Sequence, residues 1–91
     1  MKLRIDQSCQ KVIVAREDIP FDRDSVFAAL NDNTHVDFRN SWDWVRIYSC
    51  KESDSGRIYF AVSDAFESYD EYDSFEDAWN EFKSDVERII R

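Results

Sequence analysis

The sequence has few of the residues on which most catalytic and cofactor sites are built. It contains one Gly, one Pro, one Met, one His and two Cys in 91 residues. A single Gly excludes the glycine-rich loops whose backbone amides bind nucleotide phosphates. Cys9, Cys50 and His35 are too few and too scattered to build a zinc site, and two Cys in a domain of this size indicate free thiols in a reducing compartment.

Long apolar runs are also lacking. The first residues contain no apolar segment typical of a signal peptide, and no later run approaches the ~20 residues of a membrane span. The length fits one globular domain, residues 1–91, with a single core. We therefore expect a cytoplasmic protein that makes no contact with a membrane.

Basic residues are missing from one long stretch of the chain. No Lys or Arg lies between Arg57 and Lys83, and acids and aromatics are interleaved there. The acids are Asp64, Glu67, Asp70, Glu71, Asp73, Glu76, Asp77 and Glu81. The aromatics interleaved with these acids are Phe66, Tyr69, Tyr72, Phe75, Trp79 and Phe82. Because the net charge is −8, such a field repels nucleic acid and attracts basic partners over a screening length of ~10 Å at 0.1 M salt.

Hydrophobic periodicity predicts two helices. From Ser74 onward the apolar residues recur on one helical face, with Ser74 as N-cap and Arg88 near the end, which suits the helix dipole. This pattern predicts a helix from about Ser74 to the C-terminus. An earlier helix follows Pro20, with Asp22 as N-cap, and is expected to end in the polar cluster at residues 31–34.

Alternating and β-branched residues predict the strands. Residues 1–16 indicate two strands, residues 36–38 a short strand, and residues 42–50 and 57–63 a hairpin around Gly56. Residues 64–73 fit either a loop or a short edge strand. The sequence therefore predicts an α+β fold, in which a small antiparallel sheet of three to five strands carries two helices and the C-terminal amphipathic helix packs on one sheet face.

No catalytic residue, cofactor or metal is expected. The lone His35 beside a turn is typical of a solvated or hydrogen-bonded loop residue rather than a catalytic base. Asp70 and Glu81 stand at the first and twelfth positions of a calcium-binding loop, but Tyr72 and Phe75 occupy positions that need an oxygen ligand and a Gly. The sequence therefore favours a binding protein over an enzyme.

The acidic stretch has a physical use in binding. Asp77, Glu81 and Asp85 are spaced four residues apart, or ~6 Å along a helix, and duplex DNA carries one phosphate per ~3.4 Å of each strand. A row of carboxylates can therefore occupy a Lys/Arg groove as a sugar-phosphate chain does. The predicted partner-binding residues are Asp64, Glu67, Tyr69, Asp70, Glu71, Asp73, Glu76, Asp77 and Glu81. The other interpretation is that these acids only keep the protein soluble.

In size and acidity the chain resembles small inhibitors that phages and bacteria direct against basic nucleic-acid enzymes, such as anti-CRISPR proteins, restriction inhibitors and nuclease immunity proteins. That resemblance implies a non-catalytic protein whose partner is a basic, nucleic-acid-binding enzyme and which does not bind nucleic acid directly.

The alternative function is an adaptor or oligomerisation module. Its contact would be the aromatic strand at residues 42–48, and the acids would only solubilise the protein. We expect Trp42 and Trp44 of that strand to pack against a helix, and Phe66 and Tyr72 to join the core. The sequence leaves the oligomeric state open.

Overall fold

A computed structural model describes residues 2–6, 16–40 and 43–90. The elements in this part of the chain are β1 (Lys2–Asp6), β2 (Arg16–Pro20), α1 (Arg23–Asp32), β3 (His35–Arg39), β4 (Trp44–Lys51), β5 (Ile58–Asp64), β6 (Tyr69–Tyr72) and α2 (Phe75–Ile89). The apolar run at residues 12–15 and Trp42, for which strand positions were predicted, lie outside the described residues. No helix in the described ranges is long and apolar enough to cross a membrane.

The strands form one antiparallel sheet in the order β2-β1-β3-β4-β5-β6. The predicted α+β class, with two helices on an antiparallel sheet, is confirmed. In the described ranges the sheet has six strands rather than three to five. Residues 69–72, which fitted either a loop or a strand, pair with β5 as an edge strand. β2 pairs with β1 and runs to Pro20, beyond the residues 1–16 for which two strands were predicted.

Both helices begin where a polar side chain caps them. The Asp22 carboxylate accepts a hydrogen bond from the Ser25 backbone N–H at 2.8 Å, and the Ser74 hydroxyl accepts one from the Asp77 backbone N–H at 3.2 Å. These caps satisfy backbone donors that have no partner within the helix. The two predicted N-caps are confirmed.

The helices pack on the same face of the sheet. The core combines side chains of both helices with alternate residues of the central strands. Its most deeply buried members include Leu3, Val26, Val36, Val45, Ile47, Phe82 and Val86. Within the described residues no helix lies on the opposite sheet face. We call that side the open face, and its members include Asp37, Arg46, Tyr48, Ser63 and Tyr69.

Two aromatic residues lie outside the core that was predicted for them. Trp44 lies on the open face, because alternation along β4 turns Val45 and Ile47 toward the helices. Phe66 is 77% exposed, because it lies in the turn between β5 and β6, where the chain reverses direction at the surface. Tyr72 packs against the core, as predicted.

Candidate binding site

The edge strand β6 carries the middle of the predicted acidic surface. It pairs with β5, with Tyr69 opposite Ser63 and Asp70 opposite Val62. Because side chains alternate along a strand, Tyr69 and Glu71 lie on the open face, and Asp70 lies on the face that α2 covers. The predicted residues therefore wrap around a sheet edge and do not form one flat surface.

On the helix side, carboxylates of β6 and α2 lie close together. Partial burial and the charge of Asp85 raise the pKa of Glu81, and a hydrogen bond shared with Asp70 raises it further. Burial also raises the pKa of Asp85, and its ion pair with Arg88 at 3.2 Å opposes that rise. Asp85 is only 8% exposed. Its place seven residues after the buried Ala78 is the sequence signal for that orientation.

On the open face, the Tyr69 ring of β6 packs near the Tyr48 ring of β4. Its side chain is 53% exposed, and its ring centroid lies 6.4 Å from that of Tyr48. Its hydroxyl donates a hydrogen bond to the Glu71 carboxylate at 3.0 Å. Burial of the hydroxyl and this bond raise the pKa of Tyr69, so the phenol remains a neutral donor at physiological pH. Tyr69 therefore combines an exposed ring with a fixed polar tip.

Arginines from other elements neutralise part of the acidic stretch. Three of the nine predicted residues form ion pairs in this way. The pairs are Asp64 with Arg88, Asp73 with Arg57, and Glu76 with Arg23. The gap in basic residues along the chain therefore overstates the local negative charge, because Arg57 just before β5, Arg23 of α1 and Arg88 near the end of α2 each pair with one of these acids.

Asp64 has a structural role in the turn before β6. Its side chain is buried, and its Oδ1 accepts hydrogen bonds from the backbone N–H groups of Phe66 at 2.9 Å and Ser68 at 3.2 Å. An Asp that bonds to the backbone two residues later is typical of turns. The carboxylate of Asp64, which was predicted to bind a partner, is therefore buried and hydrogen-bonded within the chain's own turn.

Five predicted acids remain without an ion pair to any Lys or Arg within the described residues. We call these five residues the acidic edge: Glu67, Asp70, Glu71, Asp77 and Glu81. Glu67 lies in the turn, Asp70 and Glu71 lie on β6, and Asp77 lies one helical turn before Glu81 on α2. They give one side of the sheet an uncompensated negative charge.

Comparison with protein-family models, curated proteins and solved structures finds no significant match. Among the side chains that the structure describes, no group of three or more His, Cys, Asp and Glu is arranged to hold a metal ion. What the chain binds is therefore inferred from the geometry and charge of the acidic edge.

The exposed ring of Phe66 extends the acidic edge and was missed as a binding candidate. Phe66 lies two residues after Asp64. An Asp at the end of a strand favours a turn, and this preference is the sequence signal that would have placed Phe66 in a turn outside the core. Phe66 in the turn and Tyr69 at the start of β6 are both exposed, and they give the charged edge apolar surface at one end.

Proposed function

We propose that this chain is a small, acidic, non-catalytic protein that presents the acidic edge to a basic protein in place of nucleic acid. The observation that supports it is a group of carboxylates around the β6 edge that form no ion pair with any Lys or Arg within the described residues. Asp77 and Glu81 are ~6 Å apart along α2, Asp70 lies within hydrogen-bonding reach of Glu81, and Glu71 lies on the opposite face of β6. A groove of Lys and Arg that wraps around this edge would meet negative charge on both faces of the sheet.

The crowding of these carboxylates favours a binding role over a solubilising one. Partial burial raises the pKa of Glu81, and the neighbouring carboxylates of Asp85 and Asp70 raise it further, so holding these groups together in charged form costs stability. Solubility depends on net charge and on the absence of apolar patches, and it does not require carboxylates to be packed against each other. A basic partner would supply compensating charge that the Lys and Arg residues described by the structure do not supply to the acidic edge.

The aromatic residues beside the charges would supply affinity. Exposed aromatic rings are enriched among the residues that dominate binding energy, whereas rim charges mainly set orientation and association rate. Phe66 and Tyr69 stand in this position. The proposed partner is a nuclease, restriction enzyme or CRISPR effector complex, which the chain would inhibit by competing for its nucleic-acid groove.

The test is competition with duplex DNA for a panel of purified basic nucleic-acid enzymes of these classes. The first variant reverses three charges of the acidic edge, Glu71→Lys, Asp77→Lys and Glu81→Lys. The matched control makes the same change in net charge elsewhere, at Asp32, Asp54 and Glu87. Glu87 lies eleven residues, or about three turns, after Glu76, on the flank of α2 that faces α1.

We expect the wild-type chain and the control variant to displace DNA from at least one enzyme, and the variant of the acidic edge to fail. Circular dichroism would show that all three chains fold. Failure of the wild-type chain against every enzyme would contradict the proposal, as would equal competition by both variants.

One observation favours an adaptor role as the second candidate. The Arg46 guanidinium lies 5.3 Å from the Trp44 ring centroid and 5.9 Å from that of Tyr48, on the open face of the sheet. Such an ordered aromatic surface could bind another protein. In that case Trp44→Ala would weaken binding more than any charge reversal, and salt would have little effect on affinity.

A further inference from the structure

The hydrogen-bonding register shows which backbone groups of β6 are open. At the start of the hairpin, the Asp64 N–H donates to the Ser68 carbonyl at 3.2 Å. Facing residues of an antiparallel pair alternate between those that exchange hydrogen bonds and those that do not. Counting from this pair, Asp70 and Tyr72 bond to β5. The N–H and C=O groups of Tyr69 and Glu71 therefore point away from the sheet.

This free backbone edge is accessible. Within the described residues β6 pairs only with β5, and Tyr69, Asp70 and Glu71 are all exposed. An edge strand with open N–H and C=O groups is a template on which another extended segment can add. The question is which chemistry of segment it would accept.

Charge excludes a second copy of this chain as the favoured occupant. Pairing β6 with its equivalent would bring Asp70 and Glu71 near the same residues of the other copy, and like charges on adjacent strands are destabilising. The other sheet edge, β2, has the sequence Arg-Glu-Asp-Ile-Pro, which is acidic overall and ends in Pro20 without an N–H donor. A basic strand without proline would avoid both the charge repulsion and the missing N–H donor.

We infer that β6 binds an extended basic segment of the partner by strand addition, which deepens and rests on the proposed function. The backbone of that segment would bond to the N–H and C=O groups of Tyr69 and Glu71. Its side chains would alternate between the two faces of the sheet. Lys or Arg on one face would meet Asp70 and Glu81, and those on the other face would meet Glu71.

The test uses a synthetic peptide in which pairs of Lys alternate with pairs of Thr and Val, so that Lys lies on both faces of an added strand. The matched control is the same peptide with every backbone nitrogen methylated, which keeps every charge but removes the donors on both edges. Binding of each peptide to the full chain is measured by NMR titration at low salt. Amide hydrogen exchange of β6 is measured with and without the peptide.

We expect the unmodified peptide to slow exchange of the Tyr69 and Glu71 amides at least several-fold. The amides of Asp70 and Tyr72 already bond to β5 and should change little. The methylated peptide should bind roughly ten-fold more weakly, since each lost hydrogen bond removes a modest share of the affinity.

Two results would overturn strand addition. If both peptides bind equally and the Tyr69 and Glu71 amides are unaffected, recognition is by side-chain charge alone, and the proposed function stands without this inference. If neither peptide binds, the acids keep the edge unpaired. The competition with DNA then decides the proposed function separately.

Discussion

Among single residues, Glu67 occupies the clearest strained position. Its φ of 66° lies in the left-handed region, which costs roughly 1–2 kcal/mol for a residue with a Cβ atom. We expect Glu67→Gly to raise the free energy of unfolding by about 1 kcal/mol, because the relief of strain exceeds the added chain entropy. Chemical denaturation measures the change. Glu67→Ala keeps the strain, so an equal gain in that control would point to charge as the cause.

Asp37 anchors the open face, and its loss should be costly. It is 3% exposed, and its carboxylate accepts a hydrogen bond from Arg46 Nη2 at 3.0 Å and one from Arg39 Nε at 3.1 Å. We expect Asp37→Ala to destabilise the fold by about 3 kcal/mol, because it leaves the half-buried Arg46 unpaired. The more exposed Arg39→Ala should cost less than about 1 kcal/mol. Thermal and urea unfolding measure both changes, and equal losses of unfolding free energy in the two variants would contradict this ordering.

The pKa of Asp37 also predicts how acid affects the fold. Burial disfavours its charged form, but the Arg46 hydrogen bond and charge outweigh burial and hold the pKa below its ordinary value of 3.8. The stabilisation from this pair is therefore complete above that value and lost as the pH falls through the lower folded-state pKa. Unfolding curves recorded across this acidic range should show the loss in wild type and not in Asp37→Ala.

Among the secondary-structure elements, α2 contains a carboxylate, Glu81, whose effect on stability depends on pH in the opposite sense to that of Asp37. The pKa of Glu81 is raised above its ordinary value of 4.5, so the folded chain binds more protons than the unfolded chain between the two values. Stability should therefore rise as the pH falls through that window. We expect Glu81→Gln to stabilise the fold at pH 7 by a few tenths of a kcal/mol, the order of one like-charge pair on a helix, and to remove that rise.

The control for this prediction is a carboxylate on the other flank of α2. Glu76 pairs with Arg23, so Glu76→Gln should leave stability unchanged or lower it slightly. Denaturant titrations of both variants at neutral and mildly acidic pH distinguish the two effects. A loss of stability at pH 7 in Glu81→Gln would contradict the prediction, because it would show that favourable contacts outweigh the cost of the charged Glu81 carboxylate.

Sequence periodicity predicted α2 well and β6 poorly, for physical reasons. The amphipathic pattern and the Ser74 cap of α2 are local, so fifteen residues carry the signal by themselves. β6 has only four residues, and it is a strand because β5 offers it a partner. Exposure of Phe66 and neutralisation of Asp73 by Arg57 depend in the same way on contacts that sequence spacing does not contain.

For the domain as a whole, charge on β6 should control self-association. Natural sheets protect open edges with charged side chains. We expect the double variant Asp70→Thr, Glu71→Thr to associate through β6, because it keeps the open backbone groups and removes the repulsion. Analytical ultracentrifugation would detect the change relative to wild type. The control, Asp32→Thr with Asp54→Thr, loses the same charge away from the edge, and equal association of both variants would indicate a general solubility effect.

The most direct test of nucleic-acid mimicry is the salt dependence of affinity for an enzyme from which the chain displaces DNA. Salt screens contacts between exposed charges. If several carboxylates contact Lys or Arg of the enzyme, raising the salt from about 50 to 200 mM should lower the affinity at least ten-fold. Reversing Glu71, Asp77 and Glu81 should flatten that dependence. An affinity that stays constant over this range would contradict the acidic edge as the binding site and would favour the aromatic open face.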